Sequence, residues 1–368
     1  MKEFDIAAYI WPAYTGKEKR AWQFWPEKIG EWQTVKTVVK KFEGNEWPRK
    51  PLWGYQDEAD PAVMEWQIEE AVKHGVNVFI YDWYWYDNRP FLENCLNDGF
   101  LQAKNRDKMK FYLMWANHSA TTMWDKRLAD IDDLIDIWSG NVDRKTFEVI
   151  VARLIEKYFK QPNYYKINGC PVFSIYEISN FINGLGGFEQ AIDAIRYFRN
   201  EVKAAGFPDL HLQMILRKKQ FLNISGVDGE QTLSNDEVIR AFDVNSLTHY
   251  QFAHFVKVNE GYSTLLENLK KEMDKISSDY SLPYYPHVSV GWDNNPRTEK
   301  IMPYVATEND PENFRLALEL VKDYSEKHNE VPLITINSWN EWTETSYLQP
   351  DDKYGYGYLN AVKEVFKK

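Results

Sequence analysis

The chain has little cysteine, no long apolar run and no cluster of positive charge. Its 368 residues include two cysteines, Cys95 and Cys170, whose apolar neighbours predict two buried free thiols rather than a redox or metal site. No stretch is apolar and long enough to span a membrane. Acidic residues outnumber basic ones by 55 to 44, for a net charge of −11. Nucleic acid and anionic membrane surfaces are therefore not expected as partners.

Several common catalytic motifs are also missing. No HxH, HExxH or CxxC pattern occurs, so metal catalysis is disfavoured and we predict neither a metal nor a cofactor. No glycine-rich loop follows an apolar run, which weakens the alternative of a doubly wound nucleotide-binding sheet. The first five residues do not have the form of a signal peptide. The protein is therefore either cytoplasmic, or periplasmic or secreted with its signal removed, and the sequence leaves both open.

Aromatic residues, in contrast, are abundant. They make up 16% of the chain, with 15 Trp and 23 Tyr, while hydrophobic residues reach 44% and are sufficient for a sizeable core. Part of the aromatic excess belongs to that core. A sugar-binding cleft explains the rest, because sugar rings lie on aromatic faces.

Apolar strand-like runs alternate with helical patterns along the whole chain. Near-continuous apolar runs are typical of parallel strands covered on both faces. We predict an α/β fold, a (β/α)8 TIM barrel, as a single domain over residues 1–368 because no linker or repeat divides it. The predicted strands are residues 4–11, 76–83, 110–116, 171–178, 211–216, 244–250, 285–291 and 333–338. The predicted helices are 61–74, 144–159, 188–205, 262–278, 311–327 and 358–366, and the long connections 13–54, 117–143 and 225–235 are expected to shape a cleft.

Nearly every predicted strand ends in an aromatic, amide or charged residue. Buried polar groups cost free energy unless they are paired, so packing alone does not explain eight such ends. The carboxyl ends of barrel strands carry the active site, and we expect the substrate there. The candidate substrate-binding residues are Trp11, Asp82, Trp83, Trp85, Trp115, Asn117, His118, Tyr176, Glu177, Arg217, His249, Tyr250, Trp292, Asp293, Arg297, Asn340, Trp342 and Tyr347.

Some of these residues also have a structural interpretation. Asp82 fits either a strand-end acid bonded to backbone amides or a substrate contact. His118 and His249, each taken alone, fit hydrogen-bonded supporting histidines. Trp83 and Trp85 are expected to divide between the barrel interior and the helices. Arg297 fits an ion pair with Asp293 or Asp310 as well as it fits a substrate contact.

The most informative stretch follows the eighth predicted strand. Glu341 and Glu344 lie three residues apart among Trp339, Asn340 and Trp342. Glycosidic-bond chemistry needs one carboxyl to give a proton and one to take it. On a straight strand the two would face opposite sides, so both enter the barrel mouth only if the chain turns after Asn340. Two carboxylates this close repel, which raises one pKa and keeps that group protonated.

Residues 339–344 (WNEWTE), followed by YLQPD at 347–351 and GYGYL at 355–359, resemble the C-terminal signature of the glycoside hydrolase family 99-like proteins. This family includes the WbsX-type group, often labelled as glycosyltransferases, and is related to endo-α-mannosidases. The resemblance extends from about Gly75 to the end and includes GWDNNPR at 291–297, whereas the first 75 residues match only loosely. It implies a (β/α)8 barrel that cleaves α-glycosides with retention.

The resemblance also implies roles for the two acids. Glu341 would deprotonate the sugar's 2-hydroxyl, which attacks the anomeric carbon to form a 1,2-anhydro sugar, and Glu344 would act as acid and then as base. Glu177 remains a rival carboxylate, because it would face the eighth strand across the mouth.

The sequence departs from the family pattern at three positions. Gln349 and His118 stand where acids are usual, and Thr345 stands where glycine is common. We assign these positions to sugar subsites, so the expected substrate is an α-linked, mannoside-like oligo- or polysaccharide without a fixed sugar. The alternatives are a glycosyltransferase of polysaccharide biosynthesis and a non-catalytic carbohydrate-binding barrel. The intact acid pair speaks against the second of these. A metal-dependent hydrolase is a more distant alternative.

Overall fold

The computed structural model of the protein describes residues 3–218, 221–227 and 229–367. Residues 1, 2, 219, 220, 368 and Asp228, which is in the third long connection, lie outside it. Eight parallel strands, numbered here along the chain, lie side by side in the order β6-β5-β4-β3-β2-β1-β8-β7. Leu247 at β6 bridges Tyr284, just before β7, so the sheet closes almost completely into a barrel. The predicted fold class is confirmed. The strands are β1 Asp5–Ile10, β2 Val78–Tyr86, β3 Lys110–Trp115, β4 Cys170–Ile175, β5 His211–Ile215, β6 Ser246–Thr248, β7 His287–Ser289 and β8 Leu333–Asn337.

Helices connect most of these strands and cover the outside of the barrel. The proline-led helices begin as predicted, because Asp60 accepts a hydrogen bond from the Ala62 N–H and Asp310 accepts one from Asn313. Between β2 and β3 the connection is formed by short helical turns instead. The α-helices are α1 Trp32–Lys36, α2 Pro61–Lys73, α3 Arg144–Arg153, α4 Ile178–Leu185, α5 Phe188–Ala204, α6 Asn235–Ala241, α7 Tyr262–Asp279, α8 Pro311–His328 and α9 Gly357–Phe366.

Two expectations are corrected at this level. The third long connection is a β-hairpin, in which Phe221–Gly226 pairs antiparallel with Gly229–Ser234. Cys95 is buried as predicted, but Cys170 at the start of β4 is only partly buried, because it follows the exposed turn at Asn168 and Gly169. None of the helices in the described part of the chain is long and apolar enough to cross a membrane.

Hydrogen-bonded polar side chains fill the barrel interior below the strand ends. The Tyr112 hydroxyl donates to Gln213 Oε1 at 3.1 Å, and Thr335 Oγ1 lies 3.0 Å from Thr248 Oγ1 and 2.9 Å from His287 Nδ1. Buried polar groups of this kind are stable only when paired. These hydrogen bonds therefore hold the strand ends above them in place.

Candidate active site

A cavity of about 390 Å³, the carboxylate cavity, opens at the carboxyl ends of the strands. Each of the eight strand ends contributes at least one side chain to its wall, as expected for a barrel enzyme. The predicted site residues on the wall are Trp11, Asp82, His118, Tyr176, Arg217, Tyr250, Arg297, Glu341 and Glu344.

The chain turns after β8 in the way that the paired acids require. Residues Asn340–Glu341 pair antiparallel with Ser346–Tyr347, and a 3-10 turn, Trp342–Glu344, closes this small hairpin. The Glu341 N–H donates to Ser338 Oγ at 2.7 Å and fixes the start of the turn. The turn directs the side chains of both Glu341 and Glu344 into the cavity.

Thr345 ends this turn with a left-handed backbone at φ 56°, a conformation that costs free energy for a branched residue. Its hydroxyl oxygen accepts from Trp47 Nε1 at 2.8 Å and donates to the Asp293 carbonyl at 3.1 Å, which offsets that cost. Opposite, a Cβ on Gly291 would lie 2.3 Å from the Thr345 carbonyl oxygen, so only glycine fits there. Thr345 supports the turn and lies outside the wall of the carboxylate cavity, on the wall of a separate cavity. Its assignment to a sugar subsite stays a prediction.

Arg297 lies between the two acids and bridges them. Its Nη1 donates to Glu344 Oε1 at 2.8 Å, its Nη2 donates to Glu341 Oε1, and its Nε donates to Thr343 Oγ1 at 2.7 Å. The expected pairing with Asp293 or Asp310 is wrong: the loop after β7 directs the guanidinium towards the β8 turn, and Asp293 instead accepts from Asn45 and Asn295. Arg297 therefore orients the carboxyl pair.

Glu31 is a third carboxylate on the same guanidinium. It is fully buried, its Oε1 lies 3.4 Å from Arg297 Nε, and its Oε2 accepts from Trp11 Nε1 at 2.6 Å. The Tyr14 hydroxyl also approaches Oε2, at 3.4 Å. Sequence reasoning missed this residue, because it lies in the long connection after β1 with no motif or periodicity to mark it.

The electrostatics favour a carboxyl pair that keeps a proton. Burial raises the pKa of Glu341 well above its usual range, and repulsion from Glu344 adds to this shift. Burial also raises the pKa of Glu344, while the Arg297 charge opposes the shift. Glu344 Oε2 is buried without a hydrogen-bond partner among the described residues. This oxygen therefore has the capacity for a further hydrogen bond.

The Asp82 side chain lines the carboxylate cavity and bonds to Tyr250 instead of to backbone amides. Its Oδ2 accepts from the Tyr250 hydroxyl at 2.9 Å, and Oδ1 is buried with no hydrogen-bond partner among the described residues. Burial raises its pKa well above the usual range. The predicted bonds to backbone amides are not made, because the strand end aims the side chain into the barrel mouth.

Two aromatic residues of the wall, Tyr84 and Trp124, were not predicted. Trp124 comes from the connection after β3, which folds back so that its ring lies 5.6 Å from the Tyr84 ring. His118 lies beside Trp124, with ring centroids 6.0 Å apart, and its Nδ1 is 2.9 Å from the Ser119 carbonyl oxygen. Burial lowers the pKa of His118 to about 4, so the ring is neutral. Together these rings form an aromatic side of the cavity.

The tryptophans of β2 and β3 lie elsewhere. Trp83 and Trp85 share the helix-facing side of β2, with ring centroids 5.8 Å apart, and the Trp83 Nε1 donates to Glu93 at 2.8 Å. The expected division between two faces is wrong, because residues two apart in a strand point the same way. Trp115 packs outward on Phe147 of α3. The predicted sugar contacts of these three residues do not fit their positions.

Several other candidates support the site from behind. The Asn340 side chain accepts a hydrogen bond from the Trp11 N–H at 2.8 Å and donates one to the Trp11 carbonyl at 2.9 Å. The Asn117 side chain makes the same two kinds of hydrogen bond with the Glu177 backbone. His249 stacks on Phe255, with ring centroids 3.6 Å apart. These amides and this ring position the strand ends without lining the carboxylate cavity.

The remaining candidates lie in two nearby regions. Trp342 stacks on Tyr347 with ring centroids 3.8 Å apart, and the Tyr347 hydroxyl donates to Asp351 at 2.7 Å. Trp292 and Asp293 line a separate cavity. Trp342, Tyr347, Trp292 and Asp293 therefore lie outside the wall of the carboxylate cavity.

The hydrogen bonds of Gln349 explain why an amide stands where the family pattern has an acid. Its Nε2 donates to Glu58 Oε1 at 2.9 Å, and its Oε1 accepts from Trp342 Nε1 at 2.7 Å. Burial raises the pKa of Glu58 to about 7. An acid at position 349 would place a second carboxylate beside a buried one, so an amide fits better. Gln349 is buried and lies outside the wall of the carboxylate cavity, so its assignment to a sugar subsite stays a prediction.

Glu177, the rival acid, lines a neighbouring cavity and lies 3.4 Å from Arg217 Nε. It therefore does not face Glu341 and Glu344 across a shared space. In the described part of the chain, no group of three or more His, Cys, Asp and Glu side chains is arranged to hold a metal ion.

The sequence comparisons match the chain to the WbsX-type group that its motifs resemble. Residues 6–362 match the family model described as glycosyltransferase WbsX, so the likeness begins nearer the N-terminus than expected. Two relatives from Xanthomonas campestris pv. campestris, both named uncharacterized protein WxcX, are 26% identical over 371 residues. The alignments cover 99% of this chain and 49% of each relative, so the chain spans about half the length of these relatives.

The structural comparisons show a glycosidase-like fold. The GH99 endo-α-mannosidase from Bacteroides thetaiotaomicron in complex with bis-tris-propane matches with a TM-score of 0.62 at 12% identity, over 98% of this chain and 95% of that one. A solved glycoside hydrolase-like protein matches with a TM-score of 0.63 at 14% identity, over 100% and 95% of the two chains. At these identities the likeness is one of fold.

Proposed function

The chain belongs to the family described as glycosyltransferase WbsX. From the geometry of its site, we propose that it is a retaining glycoside hydrolase acting on an α-linked, mannoside-like glycan. The observation that carries this proposal is the convergence of Glu341 and Glu344 on Arg297 in one cavity with aromatic walls. Such a pair supplies both an acid and a base at one glycosidic bond. The glycoside hydrolase fold supports the same conclusion.

In the first step, Glu344 gives its proton to the glycosidic oxygen as the bond from that oxygen to the anomeric carbon breaks. Glu341 takes the proton of the sugar's 2-hydroxyl, whose oxygen bonds to the anomeric carbon and forms a 1,2-anhydro sugar. The unpaired Glu344 Oε2 supports the role of acid. In the second step, Glu344 takes a proton from water as the water oxygen bonds to the anomeric carbon. The bond from the anomeric carbon to the 2-oxygen breaks, and Glu341 returns its proton to that oxygen. Two inversions give net retention.

The test is hydrolysis of a panel of α-linked oligosaccharides without metal or nucleotide. We expect Glu341→Gln and Glu344→Gln each to lower kcat by roughly 10²- to 10⁴-fold, the usual contribution of acid–base groups. Glu330→Gln makes the same change at an exposed position before β8, at the opposite end of the barrel, and serves as the matched control. Hydrolysis that survives both substitutions and is lost in Glu177→Gln would overturn the assignment in favour of Glu177.

A glycosyltransferase is the second candidate, and the description of the family favours it. Incubation with nucleotide sugars and an acceptor glycan separates the two. Transfer from a nucleotide sugar, with no hydrolysis of any α-glycan, would replace the proposed activity. Sugar binding without either reaction would point to a non-catalytic carbohydrate-binding barrel.

A further inference from the structure

A second cavity, of about 590 Å³, lies beside the carboxylate cavity; we call it the hairpin cavity. The two cavities share a wall made by Tyr176 and Arg217. The hairpin that follows β5 supplies the far side through Phe221, Leu222 and Asn223. A ligand that crosses the shared wall therefore contacts both cavities at once.

The two cavities differ in the balance of their ionisable side chains. Among the described residues, the carboxylate cavity has three acidic side chains, Asp82, Glu341 and Glu344, against two arginines. The wall of the hairpin cavity has two cations, Arg217 and Lys218, against one carboxylate, Glu177, in the same part of the chain. The excess of cations in the hairpin cavity therefore attracts an anionic group.

Arg217 is only partly neutralised by its neighbours. Its Nε lies 3.4 Å from Glu177 Oε2 yet is buried without a hydrogen-bond partner among the described residues. The guanidinium lies over the Tyr176 ring at 4.4 Å, which holds it flat along the shared wall. The Arg217 side chain is 32% exposed and lines both cavities, so its planar guanidinium is suited to a carboxylate of a ligand.

The mouth of the hairpin cavity also suits a sugar ring. Phe221 is 61% exposed, although phenylalanine is usually buried. An exposed aromatic face next to cationic and amide groups offers both stacking and hydrogen bonds. The carboxylate cavity combines aromatic and polar groups in the same way.

We infer that the hairpin cavity binds an acidic sugar of the glycan through Arg217 and Lys218, while a neutral sugar of the same chain lies against Glu341 and Glu344. This inference rests on the proposed function and names its substrate class: an α-linked glycan that carries carboxylates. The net charge of −11 does not prevent binding, because charges farther away than about 8 Å are largely screened at physiological salt.

The test measures binding apart from turnover. The Glu341→Gln variant is titrated by calorimetry with a glucuronate-substituted α-mannan oligosaccharide and with the same oligosaccharide after chemical reduction of its carboxyl groups. We expect the acidic form to bind about tenfold more tightly, the effect of one charge-assisted hydrogen bond. Lys218→Gln in the same background should remove several-fold of this preference. Lys327→Gln, the same charge change in the last turn of α8 at the opposite end of the barrel, should leave it unchanged.

The outcomes separate the inference from the proposed function. Equal affinity for the two forms, no binding of either, or a preference that Lys218→Gln leaves intact overturns the inference. Hydrolysis of the neutral form by the wild type, with no preference for the acidic form, overturns the inference and keeps the proposed function. Selective binding of the acidic form without hydrolysis of either form keeps the inference and overturns the proposed function.

Discussion

Glu31→Gln removes one of the three carboxylates around Arg297 while it keeps the size of the side chain. The amide oxygen that replaces Glu31 Oε2 can still accept from Trp11 Nε1, a bond of 2.6 Å in the wild type, but the charged contact at 3.4 Å from Arg297 Nε is lost. A hydrogen bond to a charged group is worth about 1.5–3 kcal/mol, and this ion pair, in which Glu31 Oε1 makes no hydrogen bond among the described residues, is worth at most that. With Arg297 positioning Glu341 and Glu344 less well in the transition state, kcat/KM falls by up to about 150-fold, since about 1.4 kcal/mol is tenfold.

The pH profile distinguishes this effect from simple loss of structure. Burial is the main cause of the raised pKa of Glu344, and repulsion by Glu31 adds to it. Removal of the Glu31 charge therefore lowers the pKa of Glu344. Because the proposed role of Glu344 as acid requires its protonated form, the alkaline limb of kcat/KM is expected to move to lower pH. The assay is hydrolysis of the best substrate between about pH 4 and 9, a range that spans both limbs of an acid–base profile, with Glu330→Gln as the exposed control. An alkaline limb that stays in place or moves to higher pH would refute this reasoning.

Three further predictions concern the surroundings of the site. Burial raises the pKa of Glu58 to about 7 from 4.5, so the wild type gains stability as pH falls through this range. In urea unfolding, the free energy of unfolding of Glu58→Gln should lack this gain of about 3 kcal/mol. A variant whose free energy of unfolding changes with pH as in the wild type would contradict this prediction. Gly291→Ala places a Cβ 2.3 Å from the Thr345 carbonyl oxygen, so kcat should fall at least tenfold with a lower Tm, whereas wild-type values would show that the turn adjusts. Trp124→Ala should raise KM about tenfold with little change in kcat, since stacking binds the ground state and the transition state alike; an unchanged KM would remove Trp124 from the site.

The fold and most of the strand-end residues of the cavity were predictable because parallel strands bring their carboxyl ends to one face. Asp82, Tyr250 and Arg297 each follow an apolar run, so their placement in one cavity needed only the strand assignments. The same reasoning failed for Trp83 and Trp85, where the strand period was applied wrongly. The sequence shows where each strand ends. Which side chains at that end face the ligand depends on the two-residue alternation of side chains along the strand.

Residues from the long connections were not predictable in this way. Glu31 and Trp124 contact the site through backbone paths without apolar periodicity, and their partners are distant in sequence. The roles of Thr345 and Gln349 also depended on such partners, namely Trp47 and Glu58. Sequence alone showed that these positions depart from the family pattern, but not which distant side chains they hydrogen-bond.

The need for a counterion connects the predicted and the unpredicted parts of the site. Two buried carboxylates and a third beside them are unstable together without a cation, because a buried unpaired charge costs several kcal/mol. Arg297 from the loop after β7 supplies that cation, and Glu31 from the connection after β1 limits how fully it neutralises the pair. The proton balance of Glu341 and Glu344 is therefore set by three separate loops. A relative that changes the connection after β1 can alter the pH dependence of this chemistry without changing either acid.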